Sequence, residues 1–288
     1  MRARLVPVSA LATSMQESWA DLHKKPFVTD SGAYVPVKAG YPATHILPDR
    51  KRSGRGYQKL GDVVIFHGRC PTAGEIEDVT SRERPRGILW IFGHDGELRK
   101  PRIVLLYGSA GEVTHRESGI VYQLNVENIM FSQGNREEKR RVQALVKPGE
   151  HIADMFAGIG YFSLSLAKAG AYVHAMELNP ESHQYLVQNT ILNGVTDRVK
   201  AIAGDCRDLL EGTYDRIHMG HFDAVSFLNA AIRHVKPGTM LHVHMLNDRS
   251  PEIMEIIRNS GMQVEYMIHR VKKAGPCIWH LVADIEVI

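Results

Sequence analysis

From residue 151 onward the chain alternates short apolar runs with stretches of helical period, the pattern of strands separated by crossover helices. The first apolar run, 151–153, closes on Asp154, turns through Gly158 and Gly160, and continues as an amphipathic helix over 162–169. A second strand, 171–176, ends on Glu177. Asn179 and Pro180 then read as the N-cap and first turn of a helix that runs to about Asn193 and closes on Gly194. Strands three to five are expected at 199–203, 216–219 and 239–246, with helices at 224–235 and 251–259. Late strands near 263–268 and 277–286 supply an antiparallel edge. The pattern predicts a doubly wound α/β sheet.

Upstream the pattern is different. Residues 1–59 are rich in Pro, Gly and Lys, with one possible helix at 14–24 and a basic loop at 49–56. Short strands follow at 63–66, 88–92 and 102–107, as in a small α+β module. From Gly111 the sequence alternates around Ser118-Gly119 as a hairpin would, and passes a polar turn at 132–135. A charged helix over 136–146 then stops at Pro148-Gly149. The domain boundary is therefore expected near residue 110, giving an N-terminal module, 1–110, and a ligand-binding domain, 111–288.

Composition narrows the class. In 288 residues, 44% are hydrophobic and 23% charged, as in soluble globular proteins. No apolar run approaches the roughly 20 residues of a membrane span, and the first residues lack a signal-peptide core, so a cytoplasmic protein is expected. Three scattered cysteines, Cys70, Cys206 and Cys277, do not make a disulfide framework. The charge is uneven. Residues 1–110 hold 17 Lys or Arg against 11 Asp or Glu, while the remainder is slightly acidic, which suits a polyanion docking on the N-terminal part.

The glycine turn allows close backbone approach to a ligand. Glu177, 23 residues after Asp154, stands where a ribose would find its acceptor. A dinucleotide site would share this logic, but the turn reads FAGIG and not GxGxxG. Asp205, 28 residues after Glu177, adds a third strand-end acid. Three such acids around a glycine turn resemble the S-adenosylmethionine site of class I methyltransferase-type enzymes. His242 and His244 share a strand face, and His218 and His221 lie three apart. A metal site would need three or four converging ligands, so core or substrate-facing roles are expected and no metal. Asn189 and Asn193, on one helix face, are expected to satisfy caps and the neighbouring loop.

Four stretches together, 114–141, 154–162, 177–194 and 205–220, resemble the archaeal and eukaryotic tRNA-modifying family that acts at position 37. That family comprises guanine-37 N1-methyltransferases and wybutosine-pathway aminocarboxypropyltransferases. The HRESG hairpin, IMFSQGNREEK and DMFAGIGYF carry the resemblance, as does the closing GPCIWHLVADIEV. The turn after strand four separates the branches. N1-methyltransferases carry an NLP-like turn whose polar side chain holds the acceptor nitrogen, whereas Met219-Gly220-His221 resembles the glycine-containing turn of the aminocarboxypropyltransferases.

The resemblance implies a class I methyltransferase-like fold acting on tRNA-Phe in its anticodon region, as a monomer, with S-adenosylmethionine as co-substrate. It places Ser132 and Lys139 near the methionine moiety, Glu177 on the ribose, and Asp205 with Cys206 around the adenine, alongside Asp154, Gly158 and Gly160, which the strand-turn-helix pattern already marks as cofactor-binding. Lys139 stands where archaeal relatives often carry Arg, which keeps a cation but loses the planar fork. His218 and His221 are the candidates for a general base. The rival readings are N1-methylation of guanine-37 and a non-catalytic protein binding S-adenosylmethionine and RNA.

Overall fold

The computed structural model describes residues 2–22, 26–29, 32–47, 56–96, 98–275 and 277–288. The chain divides into two compact units, Met1–Gly56 and Tyr57–Ile288. The first holds β1 (Arg2–Val6), β2 (Phe27–Thr29), β3 (Gly32–Pro36) and β4 (His45–Ile46) in the order β2-β3-β1-β4, with a short helix, α1 (Leu11–Ser14). The helix expected over 14–24 does not form among the described residues. Ala20 instead bridges Val37, and the Trp19 carbonyl accepts from the Lys38 N–H, so the stretch is drawn into sheet pairing. Of the basic run 49–56, all but Gly56 lies outside the described residues.

The second unit opens with β5 (Gln58–Leu60), β6 (Val63–His67), β7 (Gly87–Asp95) and β8 (Lys100–Gly108), in sequential order. β6 and β7 are parallel, and the crossover between them is α2 (Ala73–Glu83), a helix not foreseen from the sequence. Its start is a capping box in which Thr72 and Glu75 satisfy each other's backbone N–H groups. A hairpin follows, β9 (Glu112–Glu117) and β10 (Ile120–Asn125), turned by Ser118 and Gly119, both at positive φ. The boundary expected near residue 110 falls inside this unit. Leu60, Val63, Leu89 and Ile91 share one continuous core with Val113, Leu124, Val142 and Ile152, so the chain on either side of residue 110 buries one common surface.

After the lead-in helix α3 (Arg136–Leu145) come β11 (His151–Asp154), α4 (Ser163–Lys168), β12 (Tyr172–Glu177), α5 (Pro180–Leu192), β13 (Val199–Ala203), α6 (Cys206–Leu209) and β14 (Arg216–Met219). The helix expected over 224–235 is interrupted, with only α7 (Leu228–Ala231) fully α-helical between 3-10 turns. β15 (Met240–Leu246), α8 (Ser250–Ser260), β16 (Val264–Gly275) and β17 (Ile278–Val287) complete the chain. The sheet order is β13-β12-β11-β14-β15-β17-β16, parallel from β13 to β15, with β17 antiparallel to both its neighbours. Alternate residues face opposite layers. Ile152, Val173 and Ala175 enter one core while Ala153, Met176 and Ile217 enter the other, as a sheet covered on both faces requires. The order reverses between β11 and β14, and the glycine loop leaves the carboxyl end of β11 at that switch point.

Candidate functional site

The loop between β11 and α4 is held open by two glycines. Gly158 has φ +57°, and a Cβ there would lie 2.5 Å from the Tyr161 ring; Gly160 has φ +97°, and a Cβ would meet Leu164 at 2.7 Å. Both the left-handed backbone and the tight packing demand glycine. Glu177, at the end of β12, closes on this loop. One carboxylate oxygen accepts from the Gly158 N–H and the other from the Asn179 N–H, each at 2.7 Å. Burial raises its carboxyl above the ordinary range even though those two N–H groups pull it back, and the Asp154 charge adds to the rise. The Gly204 N–H bonds the Glu177 carbonyl at 2.9 Å, which sets Asp205 beside Glu177.

Asp205 caps α6 through the Arg207 N–H and is clasped by the Arg207 guanidinium, whose hydrogen bonds hold its carboxyl low. Cys206 is buried, and burial pushes its thiol up to about 12, so it is a packing group and not a nucleophile. Asp154 is placed differently from a strand-end ligand. Only 1% exposed, it accepts from Ser163 Oγ at 2.6 Å and stands 3.4 Å from His218 Nδ1. It therefore supports the loop from beneath.

The lead-in segment is stapled to the loop by Tyr161, whose hydroxyl donates to the Met130 carbonyl, and by the Tyr122–Phe131–Tyr161 ring cluster. Lys139 is buried 5.2 Å from the Tyr122 ring centre and 5.3 Å from that of Phe131, ion-paired to the equally buried Glu117. Burial lowers its ammonium while Glu117 raises it again. Ser132 accepts a hydrogen bond from Lys272 at 2.9 Å. Neither Glu117 nor Lys272 was singled out from the sequence. Glu117 lay within the HRESG motif, but nothing local marked its partner.

Asn189 and Asn193 serve a cap and the neighbouring loop, as expected, and have a third role besides. Asn193, the C-cap of α5, donates from its amide to the Asn189 carbonyl at 2.8 Å. The two side-chain amides also bond the N–H and C=O of Gln123 and of Val121 as a neighbouring strand would, docking the β9–β10 hairpin on α5. Asn189 also donates to the Ile159 carbonyl at 3.0 Å, inside the glycine loop.

At the end of β14, His218 is fully buried under Gly220, where a Cβ would lie 2.7 Å from its ring. It is thereby screened from anything bound above the turn. His221 stacks on Phe156 with centroids 5.2 Å apart, and Phe227 meets Phe156 edge-on. The Asp223 N–H donates to His221 Nδ1 at 3.2 Å, so the neutral ring, favoured by its burial, carries its proton on Nε2. In that form it can donate a hydrogen bond to a planar ligand but cannot take a proton from it. Arg99, at the tip of the β7–β8 hairpin, lies 5.3 Å over the Phe222 ring on the same turn.

The remaining histidines are spoken for inside the sheet. His242 bonds Asp284 at 2.6 Å and Arg216 at 2.7 Å, and His244 bonds His280 at 2.9 Å. Burial would raise the Asp284 carboxyl, but His242 and Arg141 together hold it far below the carboxylate range. Among the described residues no group of three or more His, Cys, Asp or Glu could hold a metal ion.

Comparison with known proteins bears on this arrangement. Residues 113–270 match a family described as the TRM5/TYW2 methyltransferase domain. The chain is 34% identical over 246 residues to a tRNA(Phe) (4-demethylwyosine(37)-C(7)) aminocarboxypropyltransferase of Methanocaldococcus jannaschii, covering 81% of this chain and 98% of that protein. It is 40% identical over 261 residues to the enzyme of the same name from Pyrococcus horikoshii, covering 84% and 90%. Among solved structures it is similar to P. horikoshii TYW2 in complex with MeSAdo, with TM-score 0.71 and 31% identity over 81% of this chain and 91% of that one.

Proposed function

Because the chain belongs to the TRM5/TYW2 family, we propose that it transfers the 3-amino-3-carboxypropyl group of S-adenosylmethionine to C7 of 4-demethylwyosine at position 37 of tRNA-Phe. The observation that carries the choice of branch is the turn after β14. It offers Gly220 over a buried imidazole, and His221 stacked on Phe156. That is a surface for a flat, extended base, without the polar clamp that an amino or ring-nitrogen acceptor needs. The two relatives carry the same activity in their names at 34% and 40% identity.

The residues present fit the adenosyl group. Gly158 and Gly160 hold the loop in the left-handed turn that brings its backbone against Glu177, and each Glu177 oxygen, having accepted one backbone N–H, retains a lone pair for a ribose hydroxyl. Asp205 and Cys206 would flank the adenine; Ser132 and Lys139 would lie toward the methionine chain. Lys139 acts there through its remaining N–H groups, because Glu117 already takes one. Asp154 holds the loop through Ser163.

When bound, S-adenosylmethionine supplies an electrophilic sulfonium: attack by C7 on the γ-carbon forms a C–C bond, the C–S pair goes to sulfur, methylthioadenosine leaves, and the C7 proton is lost. The protein's contribution is alignment, setting C7 in line with the γ-carbon. His221, stacked on Phe156, positions the base by extending that aromatic platform. Proton removal falls to solvent or a substrate group, since His218 is covered. The basic first hundred residues hold tRNA phosphates near the anticodon, and the enzyme works as a cytoplasmic monomer.

The test is to incubate the protein with S-adenosylmethionine and tRNA-Phe carrying the tricyclic intermediate and identify the by-product by mass spectrometry. Methylthioadenosine is expected. S-adenosylhomocysteine would mean methylation, and binding without turnover would leave a non-catalytic protein.

A further inference from the structure

The strongest unassigned feature is Lys272, near the end of the edge strand β16, which runs parallel to β11 and so finishes at the same carboxyl end of the sheet that the glycine loop leaves. The β16–β17 ladder slips there. Arg270 pairs with Leu281 but Lys272 with His280, so one extra residue is accommodated on β16. A bulge of this kind re-aims side chains. It turns Lys272 to the same face as the buried His280 and away from solvent, while the next residue, Lys273, is exposed.

The half-buried ammonium ends 2.9 Å from Ser132 Oγ, and the lead-in segment is shaped around it. A Cβ on Gly134 would lie only 2.7 Å from Lys272 Nζ. Its electrostatic surroundings are positive. Burial lowers the ammonium, and the charges of Arg99 and Lys139 lower it further. Lys139 is ion-paired to Glu117, but among the described residues no carboxylate pairs with Lys272. A partly buried cation held against a hydroxyl, near two other cations and without a counter-ion, is costly unless a ligand brings the negative charge.

We propose that Lys272, together with Ser132, receives the carboxylate of the methionine chain of S-adenosylmethionine, and so fixes which carbon of the sulfonium faces the acceptor base. Ser132 accepts from Lys272, which leaves its own O–H to donate to the carboxylate, and Lys272 keeps two further N–H groups for the same anion. Position favours a cofactor carboxylate over an RNA phosphate. The segment bearing Ser132 is tied to the glycine loop by the Tyr161 bond to Met130, and the lysine is recessed between β16 and that segment. Lys139, buried against Glu117, is thereby the second cation of the subsite and Lys272 the one whose charge the ligand answers.

The assignment rests on the proposed transfer reaction for its consequence, but its test needs no turnover. Full-length protein is titrated calorimetrically with S-adenosylmethionine and with methylthioadenosine, which lacks the amino-acid chain. Lys272→Met keeps the aliphatic stem and should weaken S-adenosylmethionine about 10- to 100-fold. Methylthioadenosine should change less than about twofold, and Lys272→Arg should restore part of the loss. Unchanged S-adenosylmethionine affinity overturns the assignment, as does equal weakening of both ligands. If S-adenosylmethionine binding is unchanged while the salt dependence of tRNA binding becomes shallower, the cation serves a phosphate and the proposal is again wrong. Release of S-adenosylhomocysteine in the activity assay would sink the transfer reading and leave this titration standing.

Discussion

Glu177→Gln should separate cofactor binding from fold stability. In the free protein the carboxylate accepts two backbone N–H bonds at 2.7 Å, each to an ionised acceptor and each worth about 1.5–3 kcal/mol. Yet burial raises its carboxyl above the usual range, so the charge itself costs stability in the folded state. The sign follows: a folded-state value above the unfolded one means that stability falls as pH rises from the ordinary carboxyl range through the folded value. Glutamine removes that cost, keeps one acceptor, and sets an amide N–H against the other backbone donor, so relief and loss nearly offset. Stability without ligand should change by less than about 1 kcal/mol. The ribose is another matter. Losing the ionised acceptor for its hydroxyls should weaken S-adenosylmethionine by about 10- to 100-fold. Chemical denaturation of the free protein and calorimetric titration give the two numbers independently. Unchanged affinity would remove the ribose assignment; parallel loss of stability and affinity would make Glu177 a scaffold residue.

Further outcomes follow from the same geometry. Asn189→Ala removes three hydrogen bonds that join α5, β10 and the glycine loop, and should cost about 2–4 kcal/mol by urea denaturation; a loss under 0.5 kcal/mol would mean the hairpin docks without it. Gly158→Ala sets a Cβ 2.5 Å from Tyr161 at φ +57°, and should cost at least about 1–2 kcal/mol and lower cofactor affinity. His280, buried beside His244 and near Lys272, His218 and Glu138, titrates at about 4, below its ordinary value. The unfolded chain therefore binds the proton first, and stability should drain away as pH falls from about 6.5 to about 4, by about 3 kcal/mol from this residue. His280→Gln should flatten that part of the melting-temperature profile, and an unaltered slope would acquit the residue. Binding of tRNA should weaken steeply with salt, with a log–log slope of several, if the basic N-terminal residues neutralise phosphates.

Much of this protein is set by local pattern. The parallel strands β11 to β15 stand where apolar runs between turns predicted them, because a strand buried on both faces writes itself as an uninterrupted apolar segment. Gly158, Gly160 and Glu177 were legible for a related reason: a left-handed turn and a strand-end acid are local requirements, fixed in spacing by one strand-helix-strand unit. What depends on partners distant in the chain was decided only by the tertiary structure. The boundary moved from residue 110 to 56 because β5–β8 and the hairpin bury one common core, and burial in common leaves no compositional mark. Asp154 and His218 looked like open functional groups until Ser163 and Gly220 covered them. Asn189 and Asn193 became a surrogate strand for β10, and Lys272, unremarkable among the lysines of its strand, was turned inward by a one-residue slip against β17. A sequence states which side chains are available and which faces are apolar; which charge is left without its counter-ion follows from how the elements close on one another.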